Sequence, residues 1–395
     1  MPEAYIYLEG RLIRTDREAD ALRYGIAFHW SRLDWAFPDP LMKAEFEARG
    51  YWKKAVPTGV KVDRAGGYYV CVPRLAPGIP ATMNRVFLRN GKPMLEAFPS
   101  WAWNQPESPM TLHSVQGFEI DESDRIWLLD QGKIAFEPSP SGSQKLLVWD
   151  LNVRRMIDVI PIPDEVAPPR TSFLNDLVVD NRNGFVYITD SGQGWLDHPV
   201  RGGIIVYDMK KRAFRRVLDR QFSTQNVPGF QFAIDDKPVT LRGGADGIAL
   251  SADRSTLYYC PLTARNLYAI DTACLRDFRL PPEQIAGAVQ AIGSKRTATD
   301  GMHADAEGNV YYTMLEGKGI GRYVPGSDTF AELVSDDRML WVDGVAFDQR
   351  GAMLFNSNRL HEIMGGGEID WTYPYNFVVW KAFIGPGAKS YLYGG

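Results

Sequence analysis

The clearest pattern in the chain is a strand–turn–strand unit that occurs six times. In each copy a polar residue precedes a stretch in which apolar and polar side chains alternate, as in a half-buried strand. A turn rich in Asp, Asn, Arg and Gly follows, and the second strand is apolar on both faces. The copies begin at Thr58, Gln116, Asn175, Asp246, Asp300 and Asp343.

A repeat of this size is typical of the blades of a β-propeller. Additional strand candidates between the copies, such as GGIIVYDM, bring each unit to four strands. We therefore predict an all-β fold, a single six-bladed β-propeller domain over residues 1–395 with long loops on one face. Residues 1–50 are expected to form an N-terminal arm that supplies a closing strand. Near the two ends, FHWSRLDWAF and FVVWKAFI should meet in the last blade, because an open ring exposes a sheet edge.

Departures from this strand pattern are few. Apolar spacing predicts short helices at residues 41–49 and 283–292. The longest insertion, residues 218–243, is expected to include a loop, NVPGFQF, on the functional face, and a loop containing His198 could cover the site.

Composition and charge narrow the class of partner. A net charge of −4 gives no general attraction to nucleic acid or acidic membranes, so we expect a small-molecule partner and leave the oligomeric state open. No apolar leader or stretch of about 18 apolar residues is seen, which predicts a cytoplasmic protein. The three cysteines lack metal-ligand spacing, and Cys71 and Cys260 are expected to be small core residues.

The first residues of the six copies form the candidate site, because in a propeller they converge at one mouth of the central channel. The last three are all Asp, so one side of this mouth should be acidic. Three carboxylates and the Asn175 amide could bind Ca²⁺. Without a cation, at least one carboxyl would tend to gain a proton, which suits proton transfer. The alternative is that these side chains only cap strand ends and turns.

Other side chains could reach the same mouth. His303 follows Asp300 by three residues and His113 precedes Gln116 by three, so both are candidate acid or base groups. Arginines could hold a substrate oxygen and Trp341 could stack on a flat ring. The catalytic candidates are Asp300, His303, Asp246 and Asp343. The substrate-binding candidates are Gln116, Asn175, His113, Arg242, Arg359 and Trp341. The candidate metal ligands are Asn175, Asp246 and Asp300.

Several longer stretches resemble the yellow and major royal jelly protein family, in order from about residue 30 to 365. They include LDWAFPDP, VCVPRLAPGIPATMNRVF, SVQGFEIDESDRIWLLDQGK, SFLNDLVVD and LFNSNRL. The resemblance implies a six-bladed propeller. Some yellow-like enzymes tautomerise dopachrome-type quinones, whereas royal jelly members bind small molecules or serve as nutritional proteins.

A weaker resemblance is to the gluconolactonase and senescence-marker propellers. LNDLVVD and TDGMHADAEGNVYYT look like two of their calcium-ligand motifs, and Asp246 stands where a third ligand falls. Thr58 occupies the place of their first acidic ligand. The leading hypothesis is an isomerase, tautomerase or cyclase of a quinone- or quinone-methide-like compound in secondary metabolism. The alternatives are a non-catalytic binder of aromatic amines or sterols, and a metal-dependent, lactonase-like hydrolase.

Overall fold

Six antiparallel sheets of four strands stand around a common axis as the blades of a β-propeller. This computed structural model describes residues 5–8, 11–14, 23–193, 200–385 and 388–394. The innermost strands of successive blades contact one another, and that of the sixth blade contacts that of the first. The six-bladed fold predicted from the repeat is therefore confirmed.

Each blade runs from its innermost strand outward. Blade 1 consists of Gly59–Val62, Tyr68–Cys71, Met83–Arg89 and Lys92–Ala97. Blade 2 consists of Val115–Ile120, Arg125–Asp130, Lys145–Asp150 and Arg155–Pro161. Blade 3 consists of Leu174–Asp180, Phe185–Asp190, Gly203–Asp208 and Ala213–Val217. Blade 4 consists of Ala245–Leu250, Thr256–Pro261, Asn266–Asp271 and Gln290–Ser294. Blade 5 consists of Met302–Ala304, Val310–Met314, Gly319–Val324 and Thr329–Ser335.

The ring closes in blade 6, where a strand from the N-terminal part of the chain pairs with a strand from the C-terminal part. Its strands, again from the axis outward, are Trp341–Phe347, Ala352–Asn358, Phe377–Phe383 and Arg23–Trp30. The N-terminal strand pairs antiparallel with the C-terminal one, with His29 opposite Val378. This pairing removes the sheet edge that an open ring would expose.

Close contact between neighbouring strands explains why glycine occupies the second position of the repeat. A Cβ added to Gly117 would lie 2.5 Å from the backbone oxygen of Asn175, and one added to Gly301 would lie 2.3 Å from that of Asp343. Neighbouring innermost strands therefore approach too closely there for a larger residue. The third copy carries Asp176 at this position, and its side chain turns into the channel.

The helices are short and lie between the strands. The α-helices are Pro40–Ala48, Thr272–Arg276, Pro282–Gly287 and Leu360–Gly365. The 3-10 helices are Tyr51–Lys54, Ala102–Asn104 and Tyr391–Tyr393. None of the helices in the described part of the chain is long and apolar enough to cross a membrane. Cys71 and Cys260 are fully buried in strands, as expected of small core residues.

Two local features differ from the prediction. The helix expected over residues 283–292 ends at Gly287, and the rest becomes the outermost strand of blade 4, because pairing with Asn266–Asp271 outweighs the weak helical pattern. The insertion 218–243 contains a hairpin, Phe232–Ile234 with Lys237–Val239, which the sequence reasoning missed. Its turn places Asp235 and Asp236 at positive φ, as a tight hairpin requires. Tyr5–Leu8 pairs antiparallel with Arg11–Arg14 in a separate two-stranded sheet.

Candidate functional site

A small polar cavity lies at the axis of the propeller, where the innermost strands begin. We call it the channel cavity, and its free volume is about 20 Å³. That volume holds one water molecule or one cation. Its walls include the first residue of every copy of the repeat, namely Thr58, Gln116, Asn175, Asp246, Asp300 and Asp343.

Two further charged residues line the channel cavity and were not among the predicted site residues. Asp176 reaches it because the register of its strand shifts between Leu174 and Leu177, and this β-bulge turns consecutive side chains toward the axis. Lys61 reaches it from the innermost strand of blade 1. The signal for Asp176 was present in the sequence, since it replaces the glycine of the other five copies.

Asp246 and Asp300 form a hydrogen-bonded carboxyl pair in this cavity. Asn175 Nδ2 donates to Asp246 Oδ2 over 2.7 Å, and the indole Nε1 of Trp341 donates to Asp300 Oδ2 over 2.6 Å. Burial, and then the charge of Asp300, raises the pKa of Asp246 well above its usual range. Burial also raises the pKa of Asp300, to about 6, against the lowering effect of the Trp341 hydrogen bond. The pair therefore retains a proton at neutral pH.

The pKa values of the remaining two carboxyl groups of the cavity are also raised. Asp343 accepts a hydrogen bond of 2.9 Å from Asn358 Nδ2, yet burial and the charge of Asp300 raise its pKa well above the usual range. Burial raises the pKa of Asp176 to about 6, although the positive charge of Lys61 opposes this. Four carboxyl groups thus share one small cavity in which ionisation is disfavoured.

The far end of the channel is covered by the C-terminal segment 388–394. The hydroxyl of Tyr391 accepts a hydrogen bond from the backbone N–H of Val179 (2.9 Å) and donates one to the backbone oxygen of Val179 (3.1 Å). Val179 lies near the end of the strand Leu174–Asp180, whereas Asn175 lies near its beginning.

His303 lies at the covered end of the channel, with Nε2 2.9 Å from Ser390 Oγ and Nδ1 3.7 Å from Glu119 Oε2. Burial lowers its pKa well below the usual value, so the imidazole is neutral. The predicted catalytic histidine therefore lies away from the mouth.

Two other predicted site residues lie outside the walls of the channel cavity. His113 is buried, with Nδ1 3.1 Å from the carbonyl oxygen of Thr111. Arg359 donates to Glu362 over 3.2 Å and lies over the ring of Tyr373. Both side chains thus take part in local packing and hydrogen bonding.

The last two predicted substrate-binding residues have different surroundings. Arg242 is exposed and borders clefts beside the 232–239 hairpin. Trp341 is fully buried, and its ring stacks on that of His361 at 5.8 Å between centroids. Trp341 therefore acts on the site through its hydrogen bond to Asp300 rather than by offering an open ring face. His198 lies outside the described residues.

The donor set has the chemistry that Ca²⁺ prefers, since carboxylate and amide oxygens are its usual ligands. The positions of these side chains are less favourable for binding Ca²⁺ than their chemistry. Among the described residues no three His, Cys, Asp or Glu side chains are grouped as metal ligands. Asn175 and Asp246 instead bond to each other, so a cation held by Asn175, Asp246 and Asp300 would have to replace that hydrogen bond.

Comparison with known families agrees with this architecture. The sequence profile described as "Major royal jelly protein" matches residues 113–383. The chain belongs to the major royal jelly protein family. The resemblance seen in the sequence is therefore confirmed.

Members from the honeybee Apis mellifera are similar over much of the chain. Major royal jelly protein 8 is 25% identical over 347 residues, which are 85% of this chain and 76% of that protein. Major royal jelly protein 9 is 29% identical over 266 residues, 65% of this chain and 60% of that protein. The chain therefore spans less than two thirds of the length of that second relative.

Solved structures with the same fold include two enzymes. A luciferin-regenerating enzyme superposes with a TM-score of 0.52 at 14% identity, over 86% of this chain and 94% of that one. A gluconolactonase from Xanthomonas campestris gives 0.51 at 12% identity, over 92% and 90%. At these identities the likeness is one of fold.

Proposed function

We propose that this protein is an enzyme that isomerises a small oxygenated ring compound, quinone- or quinone-methide-like, by moving a proton at the channel mouth. The observation that carries the proposal is the Asp246–Asp300 pair. Burial raises the pKa of both carboxyl groups, and the hydrogen bond between them raises that of Asp246 and lowers that of Asp300, so Asp246 is the proton donor of the pair. An acid and a base side by side are suited to proton transfer at neutral pH.

The two carboxyl groups of the pair take different roles, because one is ionised and the other is protonated. With a pKa of about 6, Asp300 is mostly ionised at pH 7.5 and accepts a proton from carbon. Asp246 retains its proton and donates it to the carbonyl oxygen, where negative charge develops. Transfer of the proton now on Asp300 back to Asp246, along their hydrogen bond, restores the pair. One proton leaves carbon and one reaches oxygen, so the reaction is balanced without a redox partner.

The small size of the channel cavity supports a substrate position above the cavity rather than inside it. About 20 Å³ cannot hold an organic ring, but it can hold one water molecule. Asp300 and Asp246 are 8% and 3% exposed, so direct contact with a bound ring is limited. We infer that the proton transfers between the pair and the substrate pass through a single water molecule, an accepted geometry for general acid–base catalysis.

A divalent-cation-dependent, lactonase-like hydrolase is the second candidate. The observation that favours it is that four carboxyl groups, from Asp176, Asp246, Asp300 and Asp343, line one cavity large enough for a single ion. A cation there would relieve their mutual repulsion. Such an enzyme would need Ca²⁺ or a similar ion for activity, whereas the proton-transfer enzyme would not.

The experiment compares the wild type with Asp300→Asn, and with Asp236→Asn as an exposed control. Each is assayed with dopachrome and related quinones, and with glucono-δ-lactone, in EDTA and in Ca²⁺. We expect turnover of a quinone in EDTA, and a loss of about 10²–10⁴-fold in Asp300→Asn only. Thermal unfolding checks that each variant is folded.

Three outcomes would contradict the proposal. Lactone hydrolysis that needs Ca²⁺, without quinone turnover, would favour the second candidate. Tight quinone binding without turnover would indicate a binding protein. Full activity in Asp300→Asn would show that the pair is not the site.

A further inference from the structure

One basic side chain reaches the acidic channel cavity. The innermost strands of the six blades, which all lie in the described part of the chain, contain a single Lys or Arg, and this is Lys61 of blade 1. Lys61 lines the channel cavity together with the aspartates. Its side chain is only 10% exposed, so the ammonium group is largely removed from water. A buried ammonium group needs oxygen partners, because its burial without them is costly.

The partners of Lys61 belong to the two neighbouring blades. Nζ donates to the backbone oxygen of Val345, in the innermost strand of blade 6, over 3.0 Å. It also donates over 3.4 Å to Oε2 of Glu119, a buried side chain in the innermost strand of blade 2. The ammonium group is therefore fixed inside the channel by three strands.

The positive charge of Lys61 acts on the acidic groups around it. Burial raises the pKa of Asp176, and the charge of Lys61 is the largest effect that opposes this. The same two effects act in the same directions on the pKa of Glu119. Burial and the charge of Lys61 both lower the pKa of His303, so the imidazole adds no second cation to the channel. Lys61 is thus a cation that several carboxyl groups share.

The aspartates of the cavity are held by hydrogen-bond donors of the protein rather than arranged around an ion. In each of them a carboxyl oxygen accepts a hydrogen bond of 2.6 to 2.9 Å, and the pairs are Asn175 with Asp246, Trp341 with Asp300, Asn358 with Asp343 and the backbone of Leu177 with Asp176. Ca²⁺ takes about six to eight oxygen ligands, so it would have to replace several of these bonds. It would also meet the repulsion of the nearby ammonium group. The side chains as they stand do not fit a divalent cation.

We propose that the ammonium group of Lys61 is the built-in counter-ion of the channel cavity and takes the place of a divalent cation there. It offsets part of the repulsion between the carboxyl groups, so the folded protein holds them together without a metal ion. The inference concerns the charge of the cavity and does not depend on the proposed proton transfer. It excludes the metal-dependent second candidate.

Isothermal titration calorimetry with Ca²⁺ at pH 8, after treatment with EDTA, tests the proposal. The wild type should not bind Ca²⁺ at about 1 mM, the weak end of protein calcium sites. Lys61→Met removes the ammonium group and keeps an unbranched side chain. This variant should bind Ca²⁺ at least about tenfold more tightly than the wild type, because the aspartates have lost their counter-ion. Its Tm should therefore rise when Ca²⁺ is added.

A second variant covers the case in which Lys61→Met does not fold, since that change leaves Glu119 buried without its partner. Lys61→Met with Glu119→Gln removes both charges of the pair and keeps the four aspartates, so it should show the same gain in Ca²⁺ binding. Adding Asp300→Asn to this double variant should abolish the gain, which locates the ion in the channel cavity. Glu119→Gln alone should behave as the wild type does. Lys211→Met, which removes an exposed lysine paired with Asp208, is the matched control and should also behave as the wild type does.

The outcomes separate this proposal from the proposed function. Binding of Ca²⁺ to the wild type at that concentration would overturn the proposal without any variant. Variants of Lys61 that gain no Ca²⁺ binding, an equal gain in Lys211→Met, or a gain that survives Asp300→Asn would also overturn it. A wild type that neither binds Ca²⁺ nor converts quinones would contradict only the proposed reaction.

Discussion

Substituting Asp176 by Asn should stabilise the protein at neutral and alkaline pH, although it alters a residue of the candidate site. Burial disfavours the ionised carboxyl, and the amide removes that charge at nearly equal volume. The acceptor role is retained, because Oδ1 of an Asn can still receive the 2.8 Å hydrogen bond from the backbone N–H of Leu177. The substitution also removes a charge that raises the pKa of Asp343.

The magnitude follows from the raised pKa. A value of about 6 in the folded protein against 3.8 for the ordinary group corresponds to about 3 kcal/mol of ionisation cost above pH 6, as an upper limit. Because the pKa is raised on folding, this cost is absent below pH 3.8, grows between pH 3.8 and about 6, and is complete above it. Asp176→Asn should therefore gain about 1–3 kcal/mol at pH 8 and nearly nothing at pH 4.

Thermal unfolding in EDTA at pH 8 and at pH 4 measures the effect, because a bound divalent cation would offset the repulsion. Asp236→Asn is the matched control, since it removes a carboxylate from an exposed turn. The expected result is a higher Tm for Asp176→Asn at pH 8 only. A lower Tm at pH 8, or an equal gain at both pH values, would refute the reasoning about the acidic cavity.

Two further predictions concern the hydrogen bonds around the channel. Trp341→Phe removes the 2.6 Å hydrogen bond that lowers the pKa of Asp300. The acidic limb of the pH profile of kcat/KM should therefore move to higher pH by about one to two units. An acidic limb at the wild-type pH would contradict this role of the hydrogen bond. Tyr391→Phe leaves the backbone N–H and oxygen of Val179 without their buried partner, and should lower the free energy of unfolding by about 1–3 kcal/mol in urea titration. An unchanged midpoint would show that these hydrogen bonds do not stabilise the folded protein.

Most of the fold followed from the repeat. Six copies with a period-two pattern predicted six blades, and the apolar segments at the two ends predicted the closing pair Phe377–Phe383 and Arg23–Trp30. Local patterns were less decisive where several pairings fitted the same residues. The apolar spacing over residues 283–292 is compatible with a helix, and only pairing with the neighbouring strand of blade 4 makes Gln290–Ser294 a strand.

The candidate site was predictable in position but not in detail. The first residues of the copies meet at one cavity because equivalent positions of a propeller face the axis. Asp176 was missed because a β-bulge breaks the alternation on which the reasoning relied. The surroundings of His303 depend on Ser390, which is distant in sequence, so no local pattern could place it at the covered end of the channel.

The most direct test of the account is to count the carboxyl groups that remain protonated at pH 7.5, from the carbonyl stretch in infrared difference spectra. The account predicts a protonated-carboxyl band in the wild type and in Asp236→Asn. The band should be weaker by one group in Asp246→Asn, because Asp246 keeps its proton. A wild-type spectrum without such a band, or an unchanged band in Asp246→Asn, would contradict the claim that a proton-sharing pair forms the site.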